Sequence, residues 1–225
     1  MTTARTPLRA RPLPVYTKGE EIFNMVTHIV GGGVGIVTLV LCVLISAFRD
    51  SVTAVLSSVV FGISMTTLYT MSSIYHGLRP NTSKRVFQII DHCTIYFLIA
   101  GTYTPFLLCA LMRTKPIAAW ITFAVVWGLT ALAITLNAID LAKYKVFSMI
   151  CYVAIGWSII FSIKGIYDAL GAAGFFLLLG GGCLYTFGIL FYALGKKKKY
   201  FHSIFHIFVL LGSITHALSV MFYVL

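Results

Sequence analysis

Long apolar runs decide what this chain can fold into. Seven stretches of mostly apolar residues follow one another at roughly 24–48, 52–76, 86–112, 117–139, 145–164, 170–194 and 201–224. A helix needs about 20 such residues to span the hydrocarbon core of a bilayer. The links between the stretches are short. The pattern predicts an all-α membrane protein, a seven-transmembrane helix bundle over residues 22–225, preceded by a basic, Pro-rich, disordered tail over residues 1–21. Only 10% of the residues are charged, against about 25% in soluble domains, so a sizeable soluble domain is not expected. The tail contains no apolar stretch and does not read as a cleavable signal peptide.

Charge sets the expected direction of the bundle. The tail and the even-numbered links carry thirteen of the Lys and Arg residues: Arg5, Arg9, Arg11, Lys18, Arg79, Lys84, Arg85, Lys143, Lys145 and Lys196 to Lys199. The opposite side carries four, Arg49, Arg113, Lys115 and Lys164. Positive loops stay inside, which predicts a cytoplasmic N-terminus and a C-terminus outside, the reverse of G-protein-coupled receptors. The formal net charge of +11 is therefore read as topology signals and contacts for anionic lipid headgroups, not as a nucleic-acid face.

Within the runs, Cys42, Cys93, Cys109, Cys151 and Cys183 form no CxxC pair and read as reduced packing residues. Glycines such as Gly31 to Gly33 and Gly180 to Gly182 predict close helix packing. Pro105 lies inside the third run and predicts a kink. The second run carries eight Ser and Thr residues from Ser57 to Ser73, which places it in the bundle interior. No internal repeat supports a transporter built from inverted halves.

Ionisable residues inside a bilayer are costly, so their placement is informative. On the predicted topology His76 ends the second span on the cytoplasmic side. Asp91 lies about two turns, roughly 9–10 Å, beyond Lys84 and Arg85. His202 and His206 open the seventh span. All four reach one layer. His202 and His206 are four residues apart and share one helix face, the spacing used by helical zinc sites. Ser72 lies one turn below His76 on the same face. Three histidines with an open fourth position describe a catalytic zinc site, with His76, His202 and His206 as ligands. Zinc would lower the pKa of a water ligand to about 7 and polarise a carbonyl. Asp91 would hold or deprotonate that water, and Ser72 would orient it or meet the substrate oxygen. His28 (paired with Asn24), His92 and His216 read as packing or supporting residues, and Asp140 beside Lys143 as a surface charge.

The segments EEIFNMVTH at 20–28, SSIYH at 72–76, DHCTIYFLIAGTYTPF at 91–106 and HSIFHIFVLLGSITH at 202–216 resemble the bacterial hemolysin III proteins. These belong to the progestin and adipoQ receptor family, in a superfamily that includes the alkaline ceramidases. The resemblance runs from Gly19 to the end of the chain. It implies a seven-helix fold with a cytoplasmic N-terminus, zinc held by His76, His202 and His206, and supporting roles for Asp91 and Ser72. It also implies a place in the bacterial inner or plasma membrane and a part in membrane lipid homeostasis. The long N-terminal domain of the animal hormone receptors has no counterpart here, so hormone recognition is not carried over.

Three functions follow as expectations. The first is a zinc-dependent hydrolase of a lipid amide or ester, ceramidase-like in its chemistry, whose substrate enters from the bilayer. The second is a non-enzymatic membrane regulator or receptor in which zinc ties helices together. The third is a pore-forming cytolysin, which the grouping of the ionisable residues near one face disfavours.

Overall fold

The computed structural model describes residues 6–195 and 198–225. Arg5, Lys196 and Lys197, counted above for topology, lie outside the described residues. The helices are α1 (Lys18–Phe48), α2 (Val52–Gly77), α3 (Thr82–Pro105), α4 (Pro116–Asp140), α5 (Lys145–Gly156), α6 (Ile163–Leu194) and α7 (Phe201–Ser219). No strand occurs among the described residues. Among the described residues, six helical segments are long and apolar enough to cross a membrane, the fifth of them the 50-residue stretch Lys145–Leu194. That stretch joins the fifth and sixth apolar runs through a 3-10 turn at Ser158–Ser162 and a break at Gly171, where φ is +67°.

Local chemistry sets the helix ends. Thr17 caps α1 in a reciprocal box: its hydroxyl accepts from the Glu20 amide, and its own amide donates to Glu20 Oε2 at 2.8 Å. Ser51 caps α2 and Asn81 caps α3 through the Ala54 and Lys84 amides. Pro105 closes α3. A proline has no amide hydrogen to give, and the chain widens there into a π-helix over Phe106–Leu111. The expected kink thus takes the form of a change in helical register.

α2 sits between α1 and α3, α7 packs along α6 and also meets α1, and α4 lies against α3. Ser57, Ser58, Ser64 and Ser72 of α2 are buried, in keeping with its interior position. Their hydroxyls find local partners: Ser58 Oγ lies 2.9 Å from Ser46 Oγ of α1, and Ser64 Oγ donates to Phe61 O. Tyr69 Oη donates to Ser213 Oγ at 2.7 Å, and Tyr185 Oη lies at the same distance from that oxygen, so one hydroxyl chain joins α2, α7 and α6. Gly31 presses on the Tyr69 ring and Gly181 on the His216 ring, leaving no room for a Cβ at either position. The cysteines are free.

Two sequence expectations are corrected. Asp140 is not a surface charge. It is 2% exposed and accepts from the amides of Thr6, Ala142 and Lys143. Lys84 is not a loop charge either: it lies buried in the first turn of α3. The last residues of the basic N-terminal stretch form the start of α1, which begins at Lys18. Ahead of it, Arg11 donates to Ile139 O at 2.9 Å and Arg85 Nε donates to Arg11 O at 3.0 Å.

Candidate metal centre

Consecutive glutamates at the start of α1 organise one end of the bundle. Glu20 Oε1 accepts from the Tyr200 amide at 2.7 Å. Tyr200 is the residue before α7, held at φ +62°, so a carboxylate sits where the positive end of a helix favours it. Glu21 works on the other side. Its Oε2 lies 2.7 Å from His76 Nδ1 at the end of α2, and its Oε1 accepts from Lys84 Nζ at 2.6 Å at the start of α3. Lys84 also donates to Leu78 O and stands over the Tyr75 ring. Two adjacent side chains thereby pin four helices together.

This clamp surrounds a cluster of imidazoles. His76, His202 and His206 are all buried, and each offers a ring nitrogen within 4.8 Å of the others. His202 Nε2 and His206 Nε2 face one another at 3.0 Å. The two rings project from successive turns of α7, and close approach follows from their spacing of four. When His76 Nδ1 donates its hydrogen to Glu21, the lone pair is left on Nε2, and that atom is buried without a hydrogen-bond partner. A buried polar atom without a partner costs free energy unless something else engages it.

Three neutral imidazoles of this kind suit zinc, whose tetrahedral ligand nitrogens lie about 3.3 Å apart at a zinc–nitrogen distance of about 2.0–2.1 Å. The carboxylate behind His76 is the usual companion of a metal-binding imidazole: it fixes the tautomer and orients the ring. The donor set therefore fits a zinc ion held by His76, His202 and His206.

Other predicted residues fall around the cluster in different ways. Ser72 is buried on α2, one turn from His76. Asp91 does not join the three-nitrogen group; its Oδ2 lies 3.8 Å from His92 Nδ1, which itself meets Gln88 O at 2.8 Å. Tyr16, ahead of α1, stacks on the His202 ring at 4.9 Å between centroids. Burial pushes the Tyr16 phenol above its ordinary range, and the neighbouring Tyr192, Glu21, Asp91 and Glu20 add to that shift. His216 is a packing residue, bonded at 2.9 Å to Leu178 O, about 15 Å along α7 from His206.

Sequence reasoning missed Glu21, Tyr16 and the part played by His28. Asn24 pairs with Ser203, whose hydroxyl donates to Asn24 Oδ1 at 2.7 Å. His28, expected to pair with Asn24, instead stacks on His206 with ring centroids 3.8 Å apart. Both of its ring nitrogens are buried and have no hydrogen-bond partner. Glu21, Asn24 and His28 recur at intervals of three and four, so they share a face of α1. That spacing was the available signal.

The fold and the site together define a multi-pass helical membrane protein with a buried three-histidine cluster at one end of its bundle. The chain belongs to the haemolysin-III related family, whose profile matches residues 16–217. It is similar to Hemolysin-3 of Bacillus cereus, 38% identical over 206 residues that cover 92% of each protein. The Hemolysin-3 homolog of Bacillus subtilis (strain 168) is also 38% identical, over 209 residues covering 93% of this chain and 96% of that protein. A more distant likeness, 25% identity over 220 residues, links it to the human monocyte to macrophage differentiation factor, with 94% of this chain and 87% of that one covered. The family agrees with the resemblance read from the motifs, and the chain is a multi-pass protein of the cell membrane.

Proposed function

We propose that this protein is a zinc-dependent hydrolase of a lipid amide or ester, working at the cytoplasmic end of a seven-span bundle. The observation that carries the reading is the His76 ring. It is buried, oriented by Glu21 at 2.7 Å, and turns an unpartnered nitrogen toward two further buried imidazoles.

Length and contact support seven crossings. Lys145–Leu194 would extend about 75 Å as one helix, more than twice a bilayer core of about 30 Å. Trp157 Nε1 donates to Thr186 Oγ1 at 3.0 Å, so the two limbs run side by side with Gly171 midway between them. Thr114 Oγ1 donates to Gly165 O, while Gly195 lies against His202. These contacts support a stretch that leaves the histidine end and returns to it. The Lys and Arg balance favours placing that end in the cytoplasm.

His76, His202 and His206 would hold the zinc ion, which when bound would supply Lewis acidity for water and carbonyl activation. The chain's own residues do the rest. Glu21 keeps His76 in the required tautomer, and Lys84 balances the carboxylate's charge. Asp91 accepts a proton from the attacking water and passes it to the leaving group. Ser72 donates a hydrogen bond to the substrate oxygen as charge develops there. Tyr16 covers the outer side of His202 and limits access of bulk water.

The test pairs metal content with turnover on panels of lipid amides and esters in reconstituted bilayers. His202→Ala loses zinc and hydrolysis together, whereas Asp91→Ala keeps most of the zinc and loses turnover. Turnover that survives removal of both Asp91 and the metal sinks the mechanism.

A second reading has its own support. Glu20 and Glu21 join the ends of four helices around the cluster, the arrangement expected where a metal acts as a joint in a regulator of membrane lipid homeostasis. Tight zinc binding with no turnover on any lipid offered favours that reading.

A further inference from the structure

The chain ahead of α1 crosses the end of the bundle that holds the histidines. Its first described residues are fastened at α4 and α3. The Thr6 amide donates to Asp140 Oδ2 at 2.9 Å. Arg11 Nη2 donates to Ile139 O at 2.9 Å, and Arg11 O accepts from Arg85 Nε at 3.0 Å. Arg11 Nε turns back to Thr6 O and closes this part on itself. The other anchor is Thr17, the cap of α1. Between the anchors lie Pro12, Leu13, Pro14, Val15 and Tyr16. Among the described residues, no backbone–backbone hydrogen bond holds that stretch. Its two prolines fix φ and stiffen it.

Tyr16 carries the contact with the site. Its ring lies over histidines from two helices: 4.9 Å from His202 of α7 and nearly parallel to it, at 16°, and 5.9 Å from His76 of α2. Val15 beside it is 98% exposed, so the stretch is one layer thick there. The fastening, meanwhile, is incomplete. Arg11 is 3% exposed, yet its Nη1 is buried with no hydrogen-bond partner. Docking this segment strips water from a guanidinium and leaves one donor unmet, which offsets part of what its other bonds contribute. A segment held by a few hydrogen bonds and one stacked ring belongs to the low-stability end of a fold, where local opening is easiest.

We propose that Thr6–Thr17 is a strap over the histidine cluster, with Arg11 as its fastening and Tyr16 as its cover, and that release of Arg11 admits water and polar solutes to the imidazoles. Opening turns the stiff stretch about the Thr17 cap and lifts the Tyr16 ring from His202. In a hydrolase fed from the bilayer, this is the route by which water enters and a polar leaving group departs. The strap thus regulates the site read above as a hydrolase, and rests on that reading for its consequence.

The experiment uses the full-length protein in detergent, stripped of metal by a chelator and treated with diethyl pyrocarbonate, a small reagent that acylates accessible imidazole nitrogens. Peptide mass spectrometry gives a rate for each histidine, with N-acetylhistidine in the same reaction as reference. His216, buried in α7, reports whether the bundle stays intact. Wild-type His202 is expected to react far more slowly than the reference. Arg11→Gln is expected to raise its rate about tenfold, as for an opening made 1.4 kcal/mol easier, with His216 still protected. Thr6→Pro removes only the amide given to Asp140 and tests the same fastening without touching a buried side chain, so it decides the matter if Arg11→Gln exposes His216. Tyr16→Ala keeps the fastening, removes the cover and raises the rate at least as much. Wild-type His202 that reacts as fast as the reference overturns the proposal. So does a rate unmoved by Tyr16→Ala, or one raised by Tyr16→Ala but by neither fastening variant. Acylation needs neither metal nor substrate, so absent turnover would remove the hydrolase reading and leave the strap standing, while a failed strap leaves the zinc and turnover results as they are.

Discussion

Glu21 Oε2 lies 2.7 Å from His76 Nδ1, so a carboxylate at the start of the first helix sets the ring of a histidine at the end of the second. The same carboxylate holds the buried Lys84 at 2.6 Å. Its effect on the histidine cluster can therefore be isolated only if Lys84 is neutralised as well, because a buried lysine stripped of its partner is itself destabilising. The double variant Glu21→Gln/Lys84→Met is expected to fold and to bind zinc about 10–100-fold more weakly, the usual consequence of losing a carboxylate behind a metal-binding imidazole. Competition against a chelator of known affinity reads the change. An unchanged affinity would detach Glu21 from the site.

The α7 histidines make the simplest prediction about metal. His202→Ala and His206→Ala should each reduce zinc from near-stoichiometric to a trace in elemental mass spectrometry of detergent-purified protein. His216→Ala should leave it unaltered, since that ring is engaged by Leu178 O at 2.9 Å in another part of the bundle. Zinc that persists in both His202→Ala and His206→Ala would mean that the metal sits elsewhere.

Metal removal should also register as stability. The cluster joins α2 to α7, and a ligand that binds only the folded state stabilises by mass action, by about 2.7 kcal/mol at a free concentration one hundred times its dissociation constant. Thermal unfolding in detergent should shift down on chelation and recover when zinc is restored. The shift should vanish in His202→Ala. Equal melting with and without zinc in the wild type speaks against a metal joint.

Neighbouring glycines in α1 should respond in opposite directions. Gly31→Ala forces the Tyr69 ring to move in a tightly packed interface, at a cost of about 1–3 kcal/mol. Gly33→Ala meets open space and gains helix propensity, so it should be neutral or stabilise by up to about 1 kcal/mol. Melting temperatures of the two variants side by side decide the matter, and loss of stability in Gly33→Ala would contradict the packing described.

Much of this was legible in the sequence because it depends on local periodicity. Run length forces helices, since a bilayer leaves backbone groups no other partner. Spacing by four puts His202 and His206 on one face whatever surrounds them. Pro105 marks where α3 must change register, because proline has no amide to donate. The position of His76 at a helix end follows from where the second apolar run stops.

What the sequence could not decide is how each helix is rotated against its neighbours. His28 and Asn24 share a face of α1, and only the docking of α1 against α7 gives Asn24 to Ser203 and lays His28 on His206. Asp140 reads as a surface charge next to Lys143 until the chain around Thr6 folds over it and supplies an amide. Lys84 counts as a topology charge until Glu21 reaches it from 63 residues away. Local sequence fixes which side chains share a helix face. Which faces meet is settled by close packing of all the helices at once, and in this protein that packing turns three histidines and a distant glutamate into one site.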